Sequence, residues 1–493
     1  MNKKELHSKN KWKQKAKDRS KEKKILNKRI RELIKSRDNC RDKYYILSKK
    51  YKILENDIKA KEKEFKKTKP QKIKPKHHSF SILIIKVLLT VTLRGGAKFR
   101  TLEKDGKIRS EIIPYYNEAP SHVTLENWVL KVGYYELTRP KEKADDWIIL
   151  LDHSIQFGQE KIFVVLGIRE KDFLKLNRPL QYQDLEPLLE LPMKKSNGEL
   201  VKSEINKLKK ELGNIIYAVC DYGSDLKKGL QLSDIVHIHD LSHSISTEIE
   251  KIFNNEESYQ NLKKEMSLMR NKFSQTNIAA IVPPTQRKKS EYQSFDRLVK
   301  WAEKSLILLD NTLSNENKRK ELKMKFNEPI LERIEKELSW IKNYNKLITE
   351  LNAINRVVKE IEKDIKHNGL TSTTLINAKN TLTKLKSKTG EKLKNNILSK
   401  LHEQFNLMPE KNIILYSSDI LESTFGKYKN RVSENPMASI TNLILIIAAF
   451  TCNLTDEKVK DCMEKIKISD IKKWAEDKII MSSYKQRKIL LSG

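Results

Sequence analysis

The stretch Trp147 to Ile168, WIILLDHSIQFGQEKIFVVLGI, constrains this chain most. A short apolar run ends in an acid, a polar turn follows, and a second apolar run returns. Runs of this length bounded by turn residues read as buried strands. Trp147–Leu151 and Ile162–Ile168 therefore pair as a hairpin, and Asp152 stands at the end of the first strand. Two further runs, Ile215–Cys220 and Ile235–Ile238, read as strands, with a short helix predicted over Ser203–Leu212 before them. Strand, strand, helix, strand, strand makes residues 145–243 the first part of an α/β core.

Helical patterns surround that core. Residues 1–68 hold neither Gly nor Pro. Behind a basic N-terminal arm, Leu26, Ile30, Leu33, Arg37, Cys40, Tyr44, Leu47, Tyr51, Leu54 and Ile58 alternate in spacings of four and three. That is a coiled-coil seam, and a homodimer buries it. Residues 69–79 form a Pro- and Lys-rich linker. Residues 80–144 read as helical. Phe80–Leu93 stops at Gly95-Gly96, and Ser121 caps a second helix through residue 137, an arrangement that suits a helix-turn-helix engaging DNA. Residues 244–410 return to helical periodicity, including a long pattern over Glu332–Ile365, and interrupt the core as an all-α insertion. Residues 411–455 resume it with a strand-like run, Ile413–Tyr416, and a helix carrying Glu422. Residues 456–493 read as basic helices.

Lys and Arg number 99 against 65 Asp and Glu, a net charge of +34 that favours a polyanionic partner. The four cysteines form no CxxC pair, which excludes a paired zinc ribbon and points to reduced thiols in a cytoplasmic, nucleoid-associated protein. The longest apolar runs, Phe80–Leu93 and Ile440–Phe450, fall short of the roughly 20 residues of a membrane span, so no membrane partner is expected.

Three acids stand where such a core can use them: Asp152 and Asp221 at strand ends, and Glu422 on the helix after the insertion. Converging carboxylates are natural ligands for a hard cation such as Mg²⁺ or Mn²⁺, and a pair of such ions supports phosphoryl transfer. Asp240 also ends a strand and is the alternative second ligand; a helix-capping Asp has the same appearance. His243, three residues on, is an auxiliary candidate for a phosphate or a carboxylate. His237 and His239 alternate with apolar neighbours and read as strand histidines.

These motifs resemble a bacterial insertion-sequence DDE transposase with an RNase H-like catalytic core. The likeness rests on LLDHSIQFGQEKIFVVLGI, CDYGSDLKKGL, HIHDLSH, PPTQRKKSEYQSFDRLVKW and ILESTFGKYKNRVSENPMASIT, and spans about residues 80–455. Many such enzymes carry a basic residue seven positions after the final acid; Glu422 and Lys429 keep that spacing. Leu415 and Ser418 stand where some families place Tyr and Arg. The resemblance implies that Asp152, Asp221 and Glu422 hold Mg²⁺ or Mn²⁺. It implies cutting and joining of transposon ends, with inverted-repeat and target DNA as partners. Lys427, Lys429, Arg431, Arg287, Lys288 and Lys289 are the expected DNA contacts. The alternative is a non-catalytic DNA-binding protein descended from such an enzyme.

Overall fold

The computed structural model describes residues 3–67, 73–112, 119–154, 160–285, 291–432, 439–479, 481 and 483–491. The chain divides into two compact units, Met1–Ile73 and Lys74–Gly493. The first contains one long helix, α1 (Lys3–Lys67). The heptad positions Leu26, Ile30, Leu33, Tyr44, Leu47, Tyr51 and Leu54 all stand exposed on it.

In the second unit, α2 (Ile82–Leu93), α3 (Phe99–Ile112) and α4 (His122–Thr138) precede the sheet. Ser81 and Ser121 cap α2 and α4, each accepting a backbone N–H three residues on. α4 buries Leu125, Trp128, Val129, Leu130, Val132, Gly133 and Glu136. A Cβ on Gly133 would lie 1.9 Å from the Leu445 carbonyl oxygen, so α4 packs backbone against backbone there. The helix expected to face DNA is thus a core helix.

Five strands follow: β1 (Ala144–His153), β2 (Lys161–Arg169), β3 (Glu186–Met193), β4 (Gly213–Cys220) and β5 (Val236–His239). Their order is β3-β2-β1-β4-β5. β1–β2 and β2–β3 are antiparallel; β1–β4 and β4–β5 are parallel. Both faces of β1 are buried. Ile148 and Leu150 join the core shared with α4, whereas Trp147, Ile149 and Leu151 pack with α5 (Gly198–Leu212) and α6 (Ser224–Leu232). Burial on both faces explains why the strands read as continuous apolar runs.

After β5 come α7 (Leu241–Phe253) and the helical region, whose longest member is α8 (Asn345–Asn368). The long pattern over 332–365 is not one helix: a 3₁₀ segment, Ser339–Tyr344, breaks it. Ile413–Tyr416 is not a sheet strand either. It makes a single bridge, Leu370 to Ile414, and runs as a buried connector into α9 (Asp419–Lys429). α10 (Ile446–Thr451) is entirely buried.

Candidate active site

Parallel neighbours end at the same edge of a sheet. Leu150 on β1 pairs with Val219 on β4, so two residues onward Asp152 and Asp221 stand beside each other. Adjacent strands lie about 4.8 Å apart. Cys220 pairs with His239 on β5, which brings Asp240 to that edge as well, and the Asp240 N–H donates to the Cys220 carbonyl at 2.8 Å. Three neighbouring strands thus each deliver an Asp to one rim.

The three are used differently. Asp240 is buried and caps α7, Oδ1 accepting the His243 N–H at 3.0 Å. Its Oδ2 accepts both the Ser418 N–H at 2.7 Å and the Ser418 hydroxyl at 3.0 Å. The Leu241 N–H donates to the Tyr416 carbonyl at 3.1 Å. These bonds dock the connector and fix where α9 begins, and hence where Glu422 projects. Asp221 is only partly buried and accepts one local bond, from the Gly223 N–H at 2.9 Å. Asp152 accepts the His153 N–H at 2.6 Å.

Charge couples the acids. Burial, followed by the Asp221 carboxylate, raises the Asp152 carboxyl to about 8; Glu422 adds to the rise while His243 and the His153 N–H oppose it. Glu422 Oε1 meets His243 Nε2 at 3.0 Å, with both side chains about half exposed. That bond, outweighing burial and helped by Asp240 and Asp221, lifts His243 to about 9. In return His243 holds Glu422 below its ordinary value, against burial and with help from Lys366 and Lys429.

Side chains not singled out in the sequence complete the rim. Lys366, from α8, meets Asp419 at 2.5 Å and Ser242 at 2.8 Å, so the helical region itself braces the start of α9. His153 and Lys161 converge on Asp225, at 3.0 and 3.4 Å. Burial opposes but does not prevent a drop of Asp225 to about 2, caused by Ser196, His153 and Lys161. The acid four positions after Asp221 was the one available signal for this network.

The expected DNA contacts are divided. Lys427 Nζ lies 3.8 Å from the centre of the Tyr182 ring. Arg431 turns inward, donating to the carbonyls of Ala97 (3.2 Å) and Thr92 and lying over Phe99. Lys429 acts electrostatically on Glu422. Arg287, Lys288 and Lys289 lie outside the described residues.

Among the described residues, no group of three or more His, Cys, Asp or Glu side chains is disposed as a ready ligand set. Glu422 is turned onto His243. The chemistry of the donors nevertheless suits a hard cation, being carboxylate oxygens at one rim. Burial first, and then the neighbouring carboxylates, disfavour ionised Asp152, a resistance that a divalent cation relieves.

No family model and no curated protein matches the chain. Among solved structures, it is similar to a chain of the Drosophila P element transposase strand transfer complex. The identity is 11% and the TM-score 0.37, over 80% of this chain and 98% of that one.

Proposed function

We propose that this chain is a metal-dependent DNA transposase of the bacterial insertion-sequence DDE kind, with an RNase H-like core. The observation that carries the reading is the β1–β4 register, which sets Asp152 beside Asp221, together with the influence of Glu422 on Asp152. Asp152, Asp221 and Glu422 are the proposed ligands of Mg²⁺ or Mn²⁺. Asp221 is preferred to Asp240 because the side-chain hydrogen bonds of Asp240 serve to hold α7 and the start of α9. When bound, such ions lower the pKa of an attacking water or 3′-hydroxyl and stabilise the departing oxygen.

The protein's own groups do the rest. In hydrolysis a water oxygen bonds to phosphorus, the bond from phosphorus to the 3′ oxygen breaks, and that oxygen leaves as a 3′-hydroxyl. In joining, this hydroxyl attacks a target phosphate and displaces a new 3′ oxygen. Asp240 and Lys366 hold α9 so that Glu422 faces the rim. Lys429 supplies positive charge beside it. The +34 net charge supports DNA as the partner, and the exposed seam of α1 supports a second copy of the chain. No described helix is long and apolar enough to cross a membrane.

One observation favours a second reading, a DNA-binding protein without catalysis: the pairing of Glu422 with His243. Strand cleavage separates the two. The full chain is incubated with Mg²⁺ and DNA carrying the flanks of its own coding sequence. Asp152→Ala and Glu422→Ala are expected to abolish cleavage and retain DNA binding. Full cleavage by Glu422→Ala sinks the catalytic assignment; binding with no cleavage by the unaltered protein supports the second reading.

A further inference from the structure

The helix expected to meet DNA, α4, is buried, which leaves open where the core unit grips its substrate. We infer that the α2–α3 turn and the outer face of α3 form a phosphate-backbone site for duplex DNA, built from Arg94, Lys98, Arg100 and Lys104; this rests on the transposase reading above.

α3 is the most exposed helix of its group, burying only Leu102 and Gly106. At 100° per residue, Arg100 and Lys104 project almost opposite that buried stripe and, four apart, lie on one face. Arg94 caps the C-terminus of α2, and Lys98 precedes α3; all four side chains are exposed. None of them takes part in the ion pairs found among the described residues. Farther along the helix the cations are neutralised, Lys107 by Glu103 at 2.9 Å and Arg109 by Asp105 at 2.8 Å. Unbalanced positive charge is therefore concentrated at the turn and the first half of α3. Between Arg94 and Lys98, Gly95-Gly96 keeps the turn bare; Gly96 has φ +73, and a Cβ there would meet nothing within 4 Å. A phosphate can approach such a backbone closely.

Arg431 connects this surface to the candidate active site. Its guanidinium holds the Thr92 and Ala97 carbonyls, so the turn is fixed to the end of α9. The seven residues from Glu422 to Lys429, the end of α9, rise roughly 10 Å, and the two that lead to Arg431 add a few ångströms more. At 3.4 Å per base pair, that is about four base pairs from the reacting phosphate. A duplex running along α9 from the acids thus meets the cationic turn within half a helical turn. Arg431 is a positioning residue in this scheme, consistent with its inward orientation.

The test measures affinity for a random-sequence 30-base-pair duplex, without divalent metal, over a series of salt concentrations. Each lost phosphate contact lowers the slope of log K against log salt by about 0.9. Replacing Arg94, Lys98, Arg100 and Lys104 by Ala is expected to reduce the slope by about 3 to 4. The milder Arg100→Gln, Lys104→Gln pair is expected to reduce it by about 2. The comparison is an equal loss of exposed charge on the helical region, Lys379, Lys386, Lys388 and Lys392 to Ala, which is expected to leave the slope unchanged. Equal reductions in both sets, an unchanged slope in the first, or no salt-dependent binding by the unaltered chain overturns the assignment. Cleavage is not read in this assay, so its outcome is independent of whether Asp152 and Glu422 are catalytic.

Discussion

Asp221 and Asp240 stand side by side, and stability distinguishes their roles. In Asp240→Asn the amide retains one oxygen and acquires one NH₂. Asp240 now accepts three hydrogen bonds, one at Oδ1 and two at Oδ2. Whichever side the NH₂ occupies, it faces a backbone N–H: either the His243 N–H or the Ser418 N–H loses its acceptor and the NH₂ is poorly placed, while the Ser418 hydroxyl can turn to accept. A buried group left without its partner costs about 1 to 3 kcal/mol, so the substitution should cost about 2 to 4 kcal/mol. With an unfolding entropy near 2.1 cal/mol/K per residue, a unit of roughly 420 residues loses about 1 °C per kcal/mol, giving a melting temperature about 2 to 4 °C lower. Asp221→Asn is a different matter. It forgoes one local bond at a partly exposed site and removes the charge that most strongly opposes ionisation of Asp152. Its melting temperature should equal or exceed that of the unaltered protein while its cleavage disappears, as befits an acid kept for chemistry at some expense of stability. Calorimetry on both variants, with cleavage measured in parallel, checks the division. An Asp221→Asn protein melting as far below the parent as Asp240→Asn, or an Asp240→Asn protein melting with the parent, would refute the assigned roles.

Two further outcomes follow from the structure. Burial pushes Glu136 up, but hydrogen bonds from Lys458 and Arg139 outweigh it and its pKa is lowered. A carboxylate depressed on folding stabilises above its unfolded value near 4.5, and that contribution is lost as pH falls through the folded value. The difference in urea midpoint between the unaltered protein and Glu136→Gln should therefore widen as pH rises from 3 to 6; a difference independent of pH contradicts the pairing. Cys40 occupies the α1 seam and is exposed, whereas Cys220, Cys452 and Cys462 are buried. In a parallel, in-register dimer equivalent seam positions face each other, so mild oxidation should give a covalent dimer that Cys40→Ser abolishes. A dimer that survives that substitution rules out this register.

β1, β2 and β4 were legible because burial on both faces demands unbroken apolar runs, and β5 because its apolar residues alternate with histidines. β3 was not, because EPLLELPM interrupts its apolar residues with Pro187, Pro192 and two glutamates. Proline is tolerated at a sheet edge, which is where β3 lies. Glu190 is buried on it, against the pattern by which strands are recognised. Ile413–Tyr416 misled in the opposite direction, since a buried connector carries the same residues as a short strand. At the rim, an acid after an apolar run was enough to mark Asp152 and Asp221. Glu422 was marked by its place on the helix that resumes the core and by the resemblance, not by any short-range pattern, because the long helical region lies between it and Asp221. The capping role of Asp240 is local chemistry, one of the two readings its sequence allows. Its bonds to Ser418 span 178 positions, and no short-range pattern reports them.

The central claim is that Asp152, Asp221 and Glu422 together hold divalent metal. Titration of the full chain with Mn²⁺, followed by the loss of the free-ion paramagnetic resonance signal, measures it without reference to any DNA sequence. The unaltered protein should take up Mn²⁺ and release it to excess Mg²⁺, whereas Asp152→Asn and Glu422→Gln, folded by circular dichroism, should not. Uptake by both variants equal to that of the unaltered protein would contradict the account.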